Sequence, residues 1–496
     1  MTFIRPILSL LCIFFISSLQ ANVTSYFNQI KTDPKALYAF FKMMPKGGEL
    51  HYHLAGGPYP ETMLLLASKG DYCLDKKTLA MNKTARNCNG VKSKDILNQP
   101  ELYSQIIKDW SMKDFIPGKE SGHDHFFNGF MKYMPIVFDY RSALLANVIQ
   151  RAAAQQEQYL EIMDIPDNAQ STLFGTLIKN IPSYAEKKKL LLANKDFQNN
   201  ISQTVEESER TLTQAREHLG CKTNPQAEPC KVEIKFLYYS LREQSKDNLF
   251  AQTLNAFEAV SRSKGNLVGV NLVEPEDGII SLRDYHQQML IFQFFHQQYP
   301  NVNISLHAGE LEPGPVKPKD LGYHIRDALF TGHAQRIGHG AAIAHEDKAG
   351  DTLNYMAKHQ LAVEINLISN LKILNLSGPD HPLNSYLSHR VPVVLSTDDE
   401  GVLRTNLTRQ YVAAVLKQGL DYEGLKQINR NTLTYAFVPG KSIWADASKA
   451  KLIQECADLN SDSCKEFITH NEKATLQWNL EQKLISFENK YNNSIS

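Results

Sequence analysis

The sequence predicts an α/β fold, a closed (β/α)8 barrel, and two observations carry that expectation. Eight short runs rich in β-branched and aromatic residues alternate with helix-length amphipathic segments along most of the chain. Several of these runs end in a histidine or an aspartate, where a parallel barrel of the triosephosphate isomerase (TIM) type places its working groups. With 496 residues and a 43% hydrophobic composition, the chain can bury such a core. Lysine plus arginine and aspartate plus glutamate number 53 each, so the charge balance points to neither nucleic acid nor an anionic membrane as partner.

Residues 1–21 read as a signal peptide: Arg5, an apolar run over 6–16, then Ser17-Ser18-Leu19-Gln20-Ala21 with a small residue at the cut. The run is too short to span a bilayer comfortably, so a periplasmic or secreted chain, free of membrane after cleavage, is expected. Leu10-Leu11 ahead of Cys12 lack the small residues of a lipidation site. Residues 22–43 form an N-terminal amphipathic helix with Phe27, Ile30, Leu37, Phe40 and Phe41 as its apolar members. The barrel is expected over 44–440. Its strands fall at 48–54, 159–165, 232–239, 267–273, 302–307, 336–339, 362–367 and 391–396, with helical patterns at 206–219, 249–263, 285–298, 324–329 and 348–359 between them.

The longest insertion, 58–150, follows the first strand and is mostly helical in pattern, with polar loops over 73–100 and 117–124, so it is a candidate lid. His123-Asp124-His125 precedes an apolar helical run (Phe126, Phe127, Phe130, Met134) and reads as a helix start rather than a metal site. Helices are expected at 407–418, 422–436 and, with interruptions, 448–490, the last within a C-terminal helical extension over 441–496. Six cysteines remain after the leader, in three neighbouring couples. In an oxidising compartment the economical pairing is Cys73 with Cys88, Cys221 with Cys230 and Cys456 with Cys464. No Cys-x-x-Cys spacing occurs, which argues against a cysteine zinc cluster.

Chemistry concentrates at four strand ends. His51 and His53 alternate on one face of the first strand, so both imidazoles can reach one ion. His307-Ala308-Gly309-Glu310 ends the fifth strand, Gly338-His339-Gly340 the sixth and Thr397-Asp398-Asp399 the eighth. Three neutral imidazoles and one carboxylate with an open position suit catalytic zinc, which lowers the pKa of a bound water so that hydroxide is available near neutral pH. Glu310 can pass a proton to a substrate, and His339 can orient the water. Because the imidazoles must be neutral and Asp398 ionised, zinc affinity is expected to fall in acid.

These same residues carry a resemblance. Met44-Pro45-Lys46 leading to His51-x-His53-Leu54, then His307-Ala308-Gly309-Glu310, Arg336-Ile337-Gly338-His339-Gly340 and Ser396-Thr397-Asp398-Asp399 resemble the adenosine deaminase family. The leader suggests its secreted, growth-factor-related branch. The resemblance implies one Zn2+ per chain on His51, His53, His307 and Asp398. It makes Glu310 the proton shuttle to the purine ring, His339 the water-orienting group and Asp399 the partner of the five-membered ring. The implied reaction is hydrolytic deamination of adenosine or deoxyadenosine by a metal-bound hydroxide. Departures touch the substrate. Ala55 stands where the family often has an aspartate that reaches the ribose 5′-hydroxyl, Glu274 where it often has a purine-contacting glycine, and Glu400 where a proline usually follows the paired aspartates. Glu274 is therefore expected at the substrate. The alternatives are a nucleoside-binding or signalling protein with a relict site, a zinc aminohydrolase for another aminopurine, or a barrel hydrolase of phosphoesters or cyclic amides, which the acidic groups fit less well. The short N-terminal helix lacks room for the dimerisation domain of larger growth-factor-like members, and oligomeric state stays open.

Overall fold

In the computed structural model, which describes residues 23–84 and 87–492, eight parallel strands hydrogen-bond in sequence order. They are β1 (Glu49–His53), β2 (Tyr159–Asp164), β3 (Glu233–Leu241), β4 (Leu267–Val273), β5 (Asn303–Ala308), β6 (Arg336–His339), β7 (Ala362–Ile365) and β8 (Val393–Leu395). All eight lie where the sequence pattern put them. The sheet closes on itself just past β8, where the His53 N–H donates to the Asp398 carbonyl at 2.9 Å and the Asp398 N–H to the His51 carbonyl at 3.2 Å. This is a (β/α)8 TIM barrel. Its strands are near-continuous apolar runs because helices cover the outside while the interior is filled by side chains.

The expected N-terminal helix is instead two, over 23–30 and Pro34–Met43. Proline has no N–H to donate and its ring clashes with the preceding turn, so the chain restarts at Pro34, where the Asp33 carboxylate caps the N–H groups of Lys35 and Ala36. Phe40 packs edge-on against Tyr422 and Phe487 of the outer helices, and Phe27 and Phe41 lie tilted against Tyr422 and Tyr411. The polar stretch expected as a loop over 73–100 holds a small antiparallel sheet (Tyr72–Leu74, Met81–Lys83, Val91–Lys92). Its strands are too short for alternation to be legible. The C-terminal extension opens with an antiparallel pair, Trp444–Asp446 and Lys451–Leu452, before helices Asp462–Thr469 and Glu472–Asn492. The three disulfides are Cys73–Cys88, Cys221–Cys230 and Cys456–Cys464, as expected. Residues 1–21, read as a signal peptide, lie outside the described residues, and among those described no helix is long and apolar enough to cross a membrane.

Two apolar cores matter for the site. The larger fills the space between the barrel and its helices. The second belongs to the insertion, around Trp110, Tyr133 and Ile136, and holds helix Gly122–Asp139 over the C-terminal mouth of the barrel. Ser121 caps that helix by accepting the Asp124 N–H at 3.1 Å, so His123 and His125 do begin a helix.

Candidate active site

The strand ends bring His51, His53, His307 and Asp398 together, with one donor atom from each within 4.8 Å of the others. Glu310, His339 and Asp398 form an overlapping group of the same kind. Close approach depends on missing side chains. A Cβ on Gly338 would sit 2.7 Å from the His51 ring, and one on Gly56 would collide with the Asp399 carboxylate. Glu274, His339 and Asp398 all have positive φ (83°, 65° and 67°), a backbone region that costs non-glycine residues energy and recurs at working sites.

Three of the four ligand candidates, His51, His307 and Asp398, are aimed by partners from other elements, while the His53 ring meets its fellow candidates His307 at 3.2 Å and Asp398 at 3.3 Å. His51 Nδ1 lies 2.7 Å from Glu364 on β7, and Glu364 accepts from Arg336 at 2.6 Å and from Ser305 at 2.9 Å. Arg336 in turn donates to Glu161 at 2.6 Å, so a fully buried ion network runs through the barrel interior to the imidazole. Burial opposes ionisation of Glu364, but Arg336 and His51 outweigh it and hold its carboxyl at about 2. His307 Nδ1 donates to the Asn271 side-chain carbonyl at 2.9 Å, which leaves Nε2 without a proton, 3.2 Å from His53 Nε2. Ser369 donates to Asp398 Oδ2 at 2.7 Å, leaving Oδ1 facing the two β1 histidines at 3.4 and 3.3 Å. Glu276 accepts the N–H groups of Gly309 at 2.9 Å and Glu310 at 2.8 Å, and Arg242 donates to the His307 carbonyl at 2.9 Å. The turn carrying both His307 and Glu310 is therefore clamped at both ends. The one legible hint of these partners was a glutamate inside the apolar run of β7.

The donor set fits zinc. The Nε2 atoms of His51 and His339 are buried without a hydrogen-bond partner, and the four candidate ligands supply three imidazoles and a carboxylate. Burial works against charge on His51, yet Asp398 and Glu364 raise it to about 9, so metal binding there would release a proton. His307 is pushed well below the imidazole range by burial and the neighbouring imidazoles. His339 is lowered to about 3, chiefly by burial. Its tautomer follows from a chain of bonds: the Leu383 N–H donates to His381 Nδ1, His381 Nε2 to the Asn370 carbonyl, and the Asn370 amide to His339 Nδ1. That leaves His339 Nε2–H pointing at Glu310, 3.7 Å away, and Asp398, 3.8 Å away.

Glu310 and Asp399 are both raised well above the carboxylate range, by burial first and by the Asp398 charge second. Each therefore holds a proton more tightly than an ordinary carboxylate, and Asp399 Oδ1 is buried without a hydrogen-bond partner. Glu274 lines the same cavity, where burial lifts it to about 7, and its Oε2 accepts the Glu243 N–H at 2.7 Å. Glu400, in place of the proline, points away into an ion pair with Arg151 at 3.0 Å and a bond from Tyr52 at 2.8 Å. The cavity holds about 550 Å³ between the strand ends and helix Gly122–Asp139. His123 of that helix contacts Asp277 beyond β4 at 2.9 Å, beside a second cavity of about 680 Å³ that also reaches Glu310.

The family model described as adenosine deaminase matches residues 112–457. An adenosine deaminase from Klebsiella pneumoniae (strain 342) is 35% identical over 156 residues, covering 31% of this chain and 42% of that protein. One from Vibrio cholerae serotype O1 is 29% identical over 201 residues, 40% of this chain and 53% of that one. The chain thus spans about half the length of the curated relatives it matches. Adenine deaminase from Arthrobacter aurescens superposes with a TM-score of 0.53 at 17% identity over 86% of this chain and 99% of that one. The N6-methyl-AMP deaminase of Arabidopsis thaliana does so with 0.53 at 18% over 83% and 96%. At such identities these two likenesses establish the fold.

Proposed function

The chain belongs to the adenosine deaminase family, and on that premise we propose that it is a zinc-dependent aminohydrolase converting adenosine or deoxyadenosine to inosine or deoxyinosine and ammonia. The observation that carries the reading is the cluster of His51, His53, His307 and Asp398 on one cavity with two buried carboxyls, Glu310 and Asp399, both shifted toward the protonated form by burial and the Asp398 charge. The four clustered residues would hold the zinc. When bound, zinc supplies the Lewis acidity that makes water a nucleophile near neutral pH.

The remaining work falls to the chain. Glu310 donates its proton to the purine ring nitrogen next to the amino-bearing carbon and so makes that carbon electrophilic. His339 Nε2–H and Asp398 Oδ2 orient the attacking water, and Asp399 donates to the five-membered ring. Water adds, the carbon–amine bond breaks, and the two water protons end on the ring nitrogen, by way of Glu310, and on the departing amine. Glu274, at positive φ beside the cavity, offers its backbone to the base. The three disulfides support a periplasmic or secreted setting.

The test is ammonia release from adenosine, deoxyadenosine, adenine and guanosine with zinc content measured on the same sample. Release from adenosine or deoxyadenosine is expected, with zinc near stoichiometric. Glu310→Gln should keep its zinc and lose about 10²–10⁴-fold in rate, the span of general acid–base catalysis. Bound zinc with no ammonia from any aminopurine would overturn the reading in favour of a binding protein.

A further inference from the structure

Resting on the deaminase reading above, we infer that the substrate's sugar carries an apolar 5′ substituent, as in 5′-deoxy or 5′-alkylthio aminopurine nucleosides, and that 5′-phosphates are turned away. In such a nucleoside the amino-bearing carbon and the sugar-bearing nitrogen lie on different rings of the bicycle. With the reacting carbon at the His/Asp cluster on the strand ends, the sugar must extend toward the wall opposite.

That wall is helix Gly122–Asp139, and it has two apolar stripes. Phe126, Tyr133, Ile136 and Val137 pack into the insertion's own core. Phe127, Phe130, Met131, Met134 and Phe138 repeat at three- and four-residue spacing, so they share a second stripe, and all five line the cavity. Phe127, Phe130 and Met134 also brace the insertion core and Phe138 the barrel core, but all are only partly buried there and Met131 is 80% exposed, so the stripe keeps an apolar surface on the cavity for an occupant to cover. Ala55, two residues past His53, continues the apolar lining on the barrel side, together with Ile165 and Leu241.

Charge agrees with shape. Beyond the reacting groups, Glu274 is the single ionisable carboxylate among the described lining residues, and the lining contains no lysine or arginine. The nearby Arg141 is already engaged by Asp164, Glu207, Asn168 and the Ile165 carbonyl. A phosphate in this cavity would meet carboxyls and aromatic rings with no counterion, which is costly in a low dielectric. Asn128, Asn168 and Tyr239 are uncharged polar lining groups suited to the remaining sugar hydroxyls.

Two measurements on the zinc-loaded full chain test this. In ammonia release, 5′-deoxy-5′-methylthioadenosine is expected to exceed adenosine at least tenfold in kcat/KM, and AMP to fall at least a hundredfold below adenosine. In equilibrium binding, which needs no turnover, 5′-deoxy-5′-methylthioinosine is expected to bind at least tenfold tighter than inosine, and Met134→Gln to narrow that ratio. Equal binding of the two products, or AMP turned over as well as adenosine, would overturn the inference. If no nucleoside releases ammonia yet the methylthio product binds tighter, the deaminase reading fails while the cavity assignment stands.

Discussion

His307 and Glu310 lie only three residues apart, and the difference in what they do rests on neighbours neither sequence position reveals. Asn271 fixes the tautomer of one; Glu276 receives the backbone N–H groups that position the other. Glu276 is itself held by His324 at 2.6 Å and Arg242, so its carboxylate is already ionised and burial does not neutralise it. Glu276→Gln replaces an acceptor of two N–H groups by one that accepts at a single atom and donates at the other, which leaves one buried N–H facing a donor. The expected outcome is a kcat lower by about 10–100-fold with zinc retained and KM nearly unchanged, as for a misplaced catalytic group. Loss of zinc along with activity would mean the turn has collapsed and Glu276 is structural. Glu364, one residue inside an apolar strand, stands behind His51 in the same way. Its replacement by Gln should weaken zinc binding about 10–100-fold, read by titration against a chelator.

At the scale of elements, the insertion helix Gly122–Asp139 and the segment after β4 meet through His123 and Asp277. His123 also contacts Asp124 at 2.9 Å; burial opposes its charge, but Asp277 and Asp124 raise it to about 9. A histidine whose folded value lies above its unfolded value of about 6.5 stabilises the contact fully below that pH and loses the effect as pH rises through the folded value. The helix should therefore hold less tightly to the barrel mouth as pH passes about 9. Amide exchange in the helix, corrected for intrinsic rate, is expected to speed up between pH 8 and 10 in the native chain and to be fast throughout in His123→Asn. Identical protection in both proteins across that range would remove the bridge from any role in holding the helix. Two of the departures from expectation have their reasons at this scale. A proline at 34 splits the N-terminal helix because it lacks an N–H, and the strands of the small sheet, two or three residues each, bury Tyr72, Leu74, Met81 and Val91 in the insertion core but are too short to show a period in sequence.

For the whole molecule, the disulfides staple elements outside the barrel: the small sheet, the turn before β3 and the C-terminal extension. A loop of about 15 residues closed by a disulfide gains about 3 kcal/mol on the chain-entropy view. Cys73→Ser with Cys88→Ser should lower the melting temperature of the insertion while the barrel transition stays in place, resolved as two steps by calorimetry. A single unshifted transition would show that the staple adds nothing to that part. The barrel itself was readable from sequence because each strand is buried on both sides, which forces an apolar run of strand length, and because helices must lie between parallel strands. The ligand candidates were readable because they sit at the ends of those runs, where a His-x-His or an Asp-Asp stands out against apolar neighbours. The partners that position the site, Glu364, Asn271, Asn370 and Glu276, come from other strands and loops and meet only on barrel closure, so apart from Glu364, a glutamate inside an apolar run, no local pattern could reveal them. Likewise the second stripe of helix Gly122–Asp139 reads in sequence as ordinary core, and only the tertiary structure turns it onto a cavity, because what a face buries depends on what is folded opposite it.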